Sequence, residues 1–219
     1  SAPMIGGITI KVCGITRAAD AAMLRAYGAD FLGVNVWPGS PRCVPAAARP
    51  ALLREIPAAA RVAVTVNPTT TECRALLAEG FAIVQAHFDP LLKDCDPSAL
   101  AREVGHDRLW LAPKLAPGAA FPPELLTFSE TFVHDAHAKG AFGGTGQTGD
   151  WDRFKGLVSA HPRHTWMLAG GLGPTNAVAA VRAGATFLDL NSGVESAPGL
   201  KSAEKMAEVY EVLLKNSQS

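Results

Sequence analysis

At 219 residues the chain suits one large domain or two small ones, and 48% hydrophobic against 18% charged residues supports a large core rather than disorder. The formal net charge is zero and no Lys/Arg stripe interrupts it, which argues against nucleic acid as a partner. No apolar run is long enough to span a bilayer and no signal-peptide pattern is present, so no membrane partner is expected.

Four Cys stand at positions 13, 43, 73 and 95 without a C-x-x-C pair, so zinc and thioredoxin-type chemistry are poorly supported and a reducing, cytoplasmic setting fits best. Ser1-Ala2-Pro3 reads as a cloning remnant ahead of a native Met4, so the fold is sought in residues 4–219 as one domain.

Taken in order, β-branched runs alternate with Ala-rich helical patterns. Ile8 to Cys13 reads as a strand that stops at a Cys-Gly corner, with Thr16 suited to cap the helix from Ala18 to Tyr27 and Gly28 closing that helix. Asp30 to Val36 is the second strand, followed by the Pro- and Gly-broken loop Trp37 to Arg42. A helix is expected over Pro45 to Ile56, with Pro50 an irregularity inside it. The third strand is Arg61 to Val66, and Asn67-Pro68-Thr69 opens a helix through Glu79.

Phe81 to His87 is the fourth strand, with a weaker helix around Ser98 to Val104. Leu109 to Lys114 is the fifth, with only a short helix near Glu124 to Phe128 before the sixth, Thr131 to Ala136. A Gly-rich loop over 137–149 precedes a helix from Asp150 to Ser159. Thr165 to Ala169 is the seventh strand, and the helix after it is expected to begin at Pro174. Thr186 to Leu190 is the eighth, a turn follows Asn191-Ser192-Gly193, and an amphipathic helix over Lys201 to Leu214 closes the chain. Eight strands alternating with roughly eight helices predict parallel strands in a single (β/α)8 TIM barrel. An open doubly wound sheet is the competitor, but Cys13-Gly14-Ile15-Thr16 is no G-x-G-x-x-G loop.

Active groups in such barrels lie at the carboxyl ends of the strands. The polar residues expected there are Cys13, Asn35, Arg42, Asn67, Gln85, His87, Lys114, Asp135 and Asp189. Singly each has a dull explanation, such as a helix cap, a satisfied core amide or a structural His; together they share one predicted face. Strand alternation points Lys11 and Cys13 the same way. A cation beside a thiol favours the thiolate, so Cys13 reads as reactive rather than inert. Gly170-Gly171 and Ser192-Gly193 lead into helix N-termini, where bare amides and the helix dipole suit a phosphate; the alternative is that these glycines only permit tight turns.

Several stretches resemble the phosphoribosylanthranilate isomerases of tryptophan biosynthesis. They are Lys11 to Thr16, Ser40-Pro41-Arg42, Gly143-Gly144-Thr145-Gly146 with Asp150-Trp151, Ala169-Gly170-Gly171-Leu172, and Asp189 with Ser192-Gly193-Val194-Glu195. They run in the family's order over nearly the whole chain. The resemblance implies an Amadori rearrangement of an aminoaldose phosphate to an aminoketose phosphate, with no metal or organic cofactor. By resemblance Cys13 is the general base, Asp135 the general acid, Arg42 the clamp for the anthranilate carboxylate and Asp189 the partner of the anthranilate amine.

Gly170, Gly171, Ser192 and Gly193 would hold the phosphate, Gly144 belongs to the covering loop, and Lys11 and Gln85 complete the expected substrate contacts. The expected partner is a small phosphorylated aminosugar, and the chain is expected as a monomer or homodimer. The chain departs from the family pattern at Asn35, Gly39, Ala86-His87-Phe88, Gln147, Gly149 and Asn191. A divergent barrel paralogue that acts on or binds another phosphorylated sugar is the alternative.

Overall fold

Eight short apolar runs pair in parallel and close on themselves. In the computed structural model, which describes residues 5–116, 118–136 and 151–217, they are β1 (Thr9–Cys13), β2 (Phe31–Asn35), β3 (Arg61–Val66), β4 (Ile83–Phe88), β5 (Leu109–Pro113), β6 (Thr131–Asp135), β7 (Thr165–Ala169) and β8 (Phe187–Leu190). Each pairs with the next in sequence, and β1 returns to β8 with Lys11 opposite Asp189. Parallel neighbours require long crossovers. Most are helical: α1 (Ala18–Ala26), α2 (Arg49–Arg54), α3 (Thr70–Ala78), α4 (Pro97–Val104), α5 (Trp151–Ala160) and α6 (Ala177–Arg182), with α7 (Ala203–Ser217) last. The architecture is the TIM barrel that the alternation predicts. No helix among the described residues is long and apolar enough to cross a membrane.

Several local expectations are corrected. Thr16 does not cap α1: Arg17 holds that position without a side-chain cap, and the Thr16 hydroxyl donates instead to the Gly199 carbonyl at 2.6 Å. The second helical stretch splits into a 3-10 turn over Ala46–Ala48 and then α2, so Pro50 lies in a first turn, where its missing N–H costs nothing. Between β5 and β6 the short helix expected near Glu124 to Phe128 is present, as a 3-10 segment over Pro123–Thr127. Pro174 sits in a turn, and α6 begins at Ala177. The largest difference follows β8: Glu195–Ala197 and Leu200–Lys201 form a small antiparallel hairpin, β9 and β10, so Lys201 is a strand residue and not the start of the last helix.

α3 has the best-defined start. Thr69 accepts from the Glu72 amide, and the Glu72 carboxylate accepts from the Thr69 amide at 2.7 Å, a reciprocal capping box.

Strand alternation sorts the side chains into two cores. Ile10, Val12, Leu32, Val84, Leu111, Phe132 and Leu168 face the helices. The alternate residues Val62, Val64, Ile83, Trp110, Val133, Met167 and Phe187 fill the barrel interior, together with Cys13. Phe31, Trp110 and Phe187 meet pairwise with ring centroids 5.0 to 5.8 Å apart, near the amino ends of their strands. They plug the floor, so the interior opens only toward the carboxyl ends. Trp110→Ala would leave a void among these rings, with an expected loss of ~3–5 kcal/mol in urea unfolding; a loss under about 1 kcal/mol would show that the floor repacks freely.

Candidate active site

The inner faces of the strands change character toward their carboxyl ends. Two residues after interior Phe187 comes Asp189, two after Ile83 comes Gln85, and two after Val133 comes Asp135. The same parity carries Lys11 and Cys13 inward from β1. Apolar layers at the floor therefore give way to a ring of polar side chains at the mouth.

Lys11 is fully buried, and its ammonium donates to both Asp189 oxygens at 2.8 Å. Burial opposes the Lys11 charge, but Asp189 and Cys13 overcome it and raise the amine above its ordinary value. Burial also raises the Asp189 carboxyl, Lys11 draws it back, and the charge of nearby Asp135 adds to the rise. With both oxygens on one ammonium, the pair is ionic.

Cys13 lies beside this pair. Burial pushes its thiol up; Lys11 and Lys201 oppose that, and burial wins. The expectation that Lys11 leaves Cys13 with a lowered pKa is thus corrected: the cation acts in the expected direction, but a 7% exposed thiol loses more solvation than the ammonium returns. Space here is tight, because a Cβ on Gly33 would stand 3.2 Å from the Cys13 sulfur.

On the β4 side, Gln85 Nε2 and His87 Nε2 are 2.8 Å apart. Burial, then the Lys11 charge, lowers His87 to about 4, so the imidazole is neutral near pH 7 and accepts from the amide, a structural His that orients Gln85. The Gln85 Oε1 is buried without a partner among the described residues, as is Asn67 Oδ1. Asn35 Oδ1 accepts from the Trp37 amide at 3.0 Å, and Lys114 is exposed. Asp135 ends β6 on the rim and is exposed.

Arg42 reaches the mouth from the loop after β2 and runs across Gly14. A Cβ there would meet Arg42 Cδ at 2.5 Å and Asn191 Oδ1 at 2.8 Å, and Gly14 has φ of +74°, so glycine suits the corner twice over. The Arg42 fork is occupied: Nε donates to Glu195 Oε1 at 2.9 Å and Nη2 to Oε2 at 2.6 Å. Lys201 donates to Glu195 Oε1 at 2.7 Å and to Asn191 Oδ1 at 3.0 Å. Burial raises Glu195, but its bonds from Arg42 and Lys201 prevail and hold it near 2. Burial lowers Lys201, and Glu195 opposes that.

Glu195 and Lys201 were not among the expected site residues. The hairpin that brings them together is too short to leave a periodic trace, although the Pro198-Gly199 dipeptide between its strands is a turn signal.

Gly170 and Gly171 follow β7, both with positive φ, and Ser192 and Gly193 follow β8 in a 3-10 turn. The two loops touch: a Cβ on Gly193 would collide with the Leu172 carbonyl, and one on Gly173 would come within 2.7 Å of the Gly193 carbonyl. Gly144 lies outside the described residues. No cluster of three or more His, Cys, Asp or Glu among the described residues is placed to hold a metal ion.

Comparison with known proteins places this geometry. The family model for N-(5'-phosphoribosyl)anthranilate (PRA) isomerase matches residues 10–212. The chain belongs to the phosphoribosylanthranilate isomerase family. It is 33% identical to the N-(5'-phosphoribosyl)anthranilate isomerase of Synechococcus elongatus over 220 residues, covering 96% of this chain and 98% of that one. The crystal structure of the Thermus thermophilus phosphoribosyl anthranilate isomerase superposes with a TM-score of 0.76 at 28% identity, covering 95% of this chain and 99% of that one. A further isomerase of this family, solved in complex with reduced 1-(o-carboxyphenylamino)-1-deoxyribulose 5-phosphate, has a TM-score of 0.70 at 23% identity, covering 96% and 98%. Membership ties the chain to tryptophan biosynthesis.

The Lys11–Asp189 pair sets a test. Lys11→Met strands a buried carboxylate and is expected to cost ~3–5 kcal/mol, much of it restored by adding Asp189→Leu. Alkylation of Cys13 by iodoacetamide should follow a thiol titrating above the free value of about 8.5. Lys11→Met should move that midpoint higher still. A midpoint below the free value would show that the cations win over burial.

Proposed function

We propose that this chain isomerises N-(5-phosphoribosyl)anthranilate to 1-(2-carboxyphenylamino)-1-deoxyribulose 5-phosphate by general acid–base catalysis with its own side chains. Asp135 gives a proton to the furanose ring oxygen, the C1′–O bond breaks, and the lone pair of the neutral anthranilate nitrogen forms the C1′=N bond of a cationic Schiff base. The cationic imine acidifies the C2′ proton, and the Cys13 thiolate removes it. The resulting enolamine tautomerises to the ketone. A base of modest strength suffices because the imine stabilises the developing negative charge.

One observation carries this reading: Cys13 and Asp135 end β1 and β6 on the same rim, both on inward-facing positions, and Asp189 on β8 lies between those strands in the barrel order. Acid and base can therefore flank one bound sugar. Arg42 takes the substrate carboxylate by a guanidinium edge. Asp189 retains lone pairs beyond the two directed at Lys11, and these accept from the anthranilate amine. The unpartnered Gln85 Oε1 accepts from a sugar hydroxyl.

The joined glycine loops at Gly170, Gly171, Ser192 and Gly193 offer amides to the phosphate. The four unpaired cysteines suit a reducing cytoplasm. The isomerase that holds the reduced aminoketose phosphate supports the same class of ligand here.

Turnover of phosphoribosylanthranilate, generated in place from anthranilate by a phosphoribosyltransferase, tests the proposal through the decay of substrate fluorescence. Cys13→Ala and Asp135→Asn should each reduce kcat by about 10²–10⁴-fold while the fold persists by circular dichroism. Wild-type-like turnover in either variant removes that residue from the mechanism.

A further inference from the structure

The mechanism above leaves Glu195 and Lys201 without a role, although both are buried at the mouth. Their geometry is specific. Glu195 takes the Nε–Nη2 edge of Arg42, and its Oε1 also accepts from Lys201 Nζ and, at 3.1 Å, from the Gly199 amide. A guanidinium has two forked edges. Engaging the side edge fixes the plane of the group and turns the end edge, Nη1 with Nη2, away from Glu195.

The hairpin that carries Glu195 is itself tied down on three sides. Thr16 Oγ1 donates to the Gly199 carbonyl, the Lys201 amide donates to Asp20 Oδ2 at 3.2 Å, and Lys205 Nζ donates to the Glu195 carbonyl at 2.7 Å. The Arg42 stem is confined as well, because it crosses the bare Cα of Gly14.

Charge completes the picture. A carboxylate on Arg42 alone would cancel the attraction that Arg42 holds for a second carboxylate. Lys201, with a fully buried side chain 2.7 Å from the same oxygen, returns that charge. The trio keeps one net positive charge, presented through the end edge of Arg42.

We propose that Glu195, neutralised by Lys201, is a positioning residue that orients the Arg42 guanidinium and thereby sets specificity for a substrate bearing an aromatic carboxylate. This rests on the reading of Arg42 as the carboxylate clamp. Lys201 supplies the charge that keeps the clamp attractive, and the hairpin β9–β10 supplies the rigidity.

The test is a kinetic cycle on the full chain. Glu195→Gln should raise KM for phosphoribosylanthranilate roughly tenfold, with kcat changed by less than about threefold, the signature of lost substrate binding. Lys201→Met should do the same, and Lys201→Arg should recover most of the loss. In an Arg42→Ala background, Glu195→Gln should add nothing, because its effect passes through the guanidinium. Two inhibitors read specificity directly: the reduced aminoketose phosphate with its ring carboxylate, and the phenylamino analogue without it. The preference for the carboxylate should shrink roughly tenfold in Glu195→Gln.

Were Glu195→Gln to misfold, Lys201→Met and Lys201→Arg carry the same comparison. Unchanged KM and unchanged inhibitor preference in folded variants, with KM raised in Arg42→Ala, would overturn the positioning role alone. Unchanged KM in Arg42→Ala would overturn the clamp and this inference with it. Equal effects of Glu195→Gln with and without Arg42 would show that the hairpin acts on the site by another route and overturn the role assigned here.

Discussion

An ammonium and a carboxylate sealed inside a barrel are an expensive choice, and the Lys11–Asp189 pair sits where β1 meets β8 and the barrel closes. Removing two charges from water costs about as much as their attraction returns, so such a pair contributes little net stability compared with apolar residues of similar size. Its value lies in what it does to the mouth. It places a cation beneath Cys13 and a carboxylate near enough to Asp135 for that residue's charge to act on it. Neither group can be replaced singly without leaving the other stranded. The register that brings Lys11 opposite Asp189 is therefore locked by electrostatics as well as by strand pairing.

Much of this was legible in the chain. Periods of β-branched residues, cut by Gly and Pro, locate all eight barrel strands, and β3 and β7 match to the residue. Alternation placed Lys11 and Cys13 on one face because period two depends on nothing but the pleat. What failed depended on long-range partners. Thr16 looked like a cap, yet its hydroxyl finds a carbonyl 183 residues away. Lys201 looked like the first residue of an amphipathic helix, yet a fifteen-residue pattern hides a strand of two residues ahead of it. Glu195 could be quoted within a motif without its function being visible, since nothing local to it indicates that Arg42 will fold across Gly14 to meet it. The net direction of the Cys13 shift was also out of reach: proximity to Lys11 follows from spacing, but the burial that opposes it follows from the assembled barrel.

The molecule divides its labour along the barrel axis. Aromatic rings close the floor, where their contacts serve stability and need no exact orientation relative to a ligand. Glycines gather at the mouth, where backbone must approach backbone or an arginine stem. The Gly173–Gly193 contact is the clearest case. It binds the loops after β7 and β8 into one surface, so amides from two different units can converge on a single anion without a cationic side chain. For the proposed phosphate site, loops joined in this way leave little ordering to be done on binding.

Charge at the mouth is arranged in two linked groups. Lys11 with Asp189 is neutral as a pair, whereas Arg42 and Lys201 exceed Glu195 by one positive charge. Both groups act on Cys13: Lys11 and Lys201 favour its thiolate, and Asp189 disfavours it. In the proposed reaction two anions draw on the same surplus, the substrate carboxylate at Arg42 and the thiolate that forms at Cys13. A carboxylate bound first uses part of the field that would ionise the thiol. The enzyme then holds its base mainly as the thiol at rest, and Cys13 must release that proton to solvent before its thiolate can take the C2′ proton. The enzyme would rely on the cationic imine, formed after ring opening, to make deprotonation at C2′ favourable. The raised pKa of the buried thiol keeps most of it un-ionised and so spared oxidation between turnovers, while the imine-acidified C2′ proton asks only a modest base of the fraction that ionises.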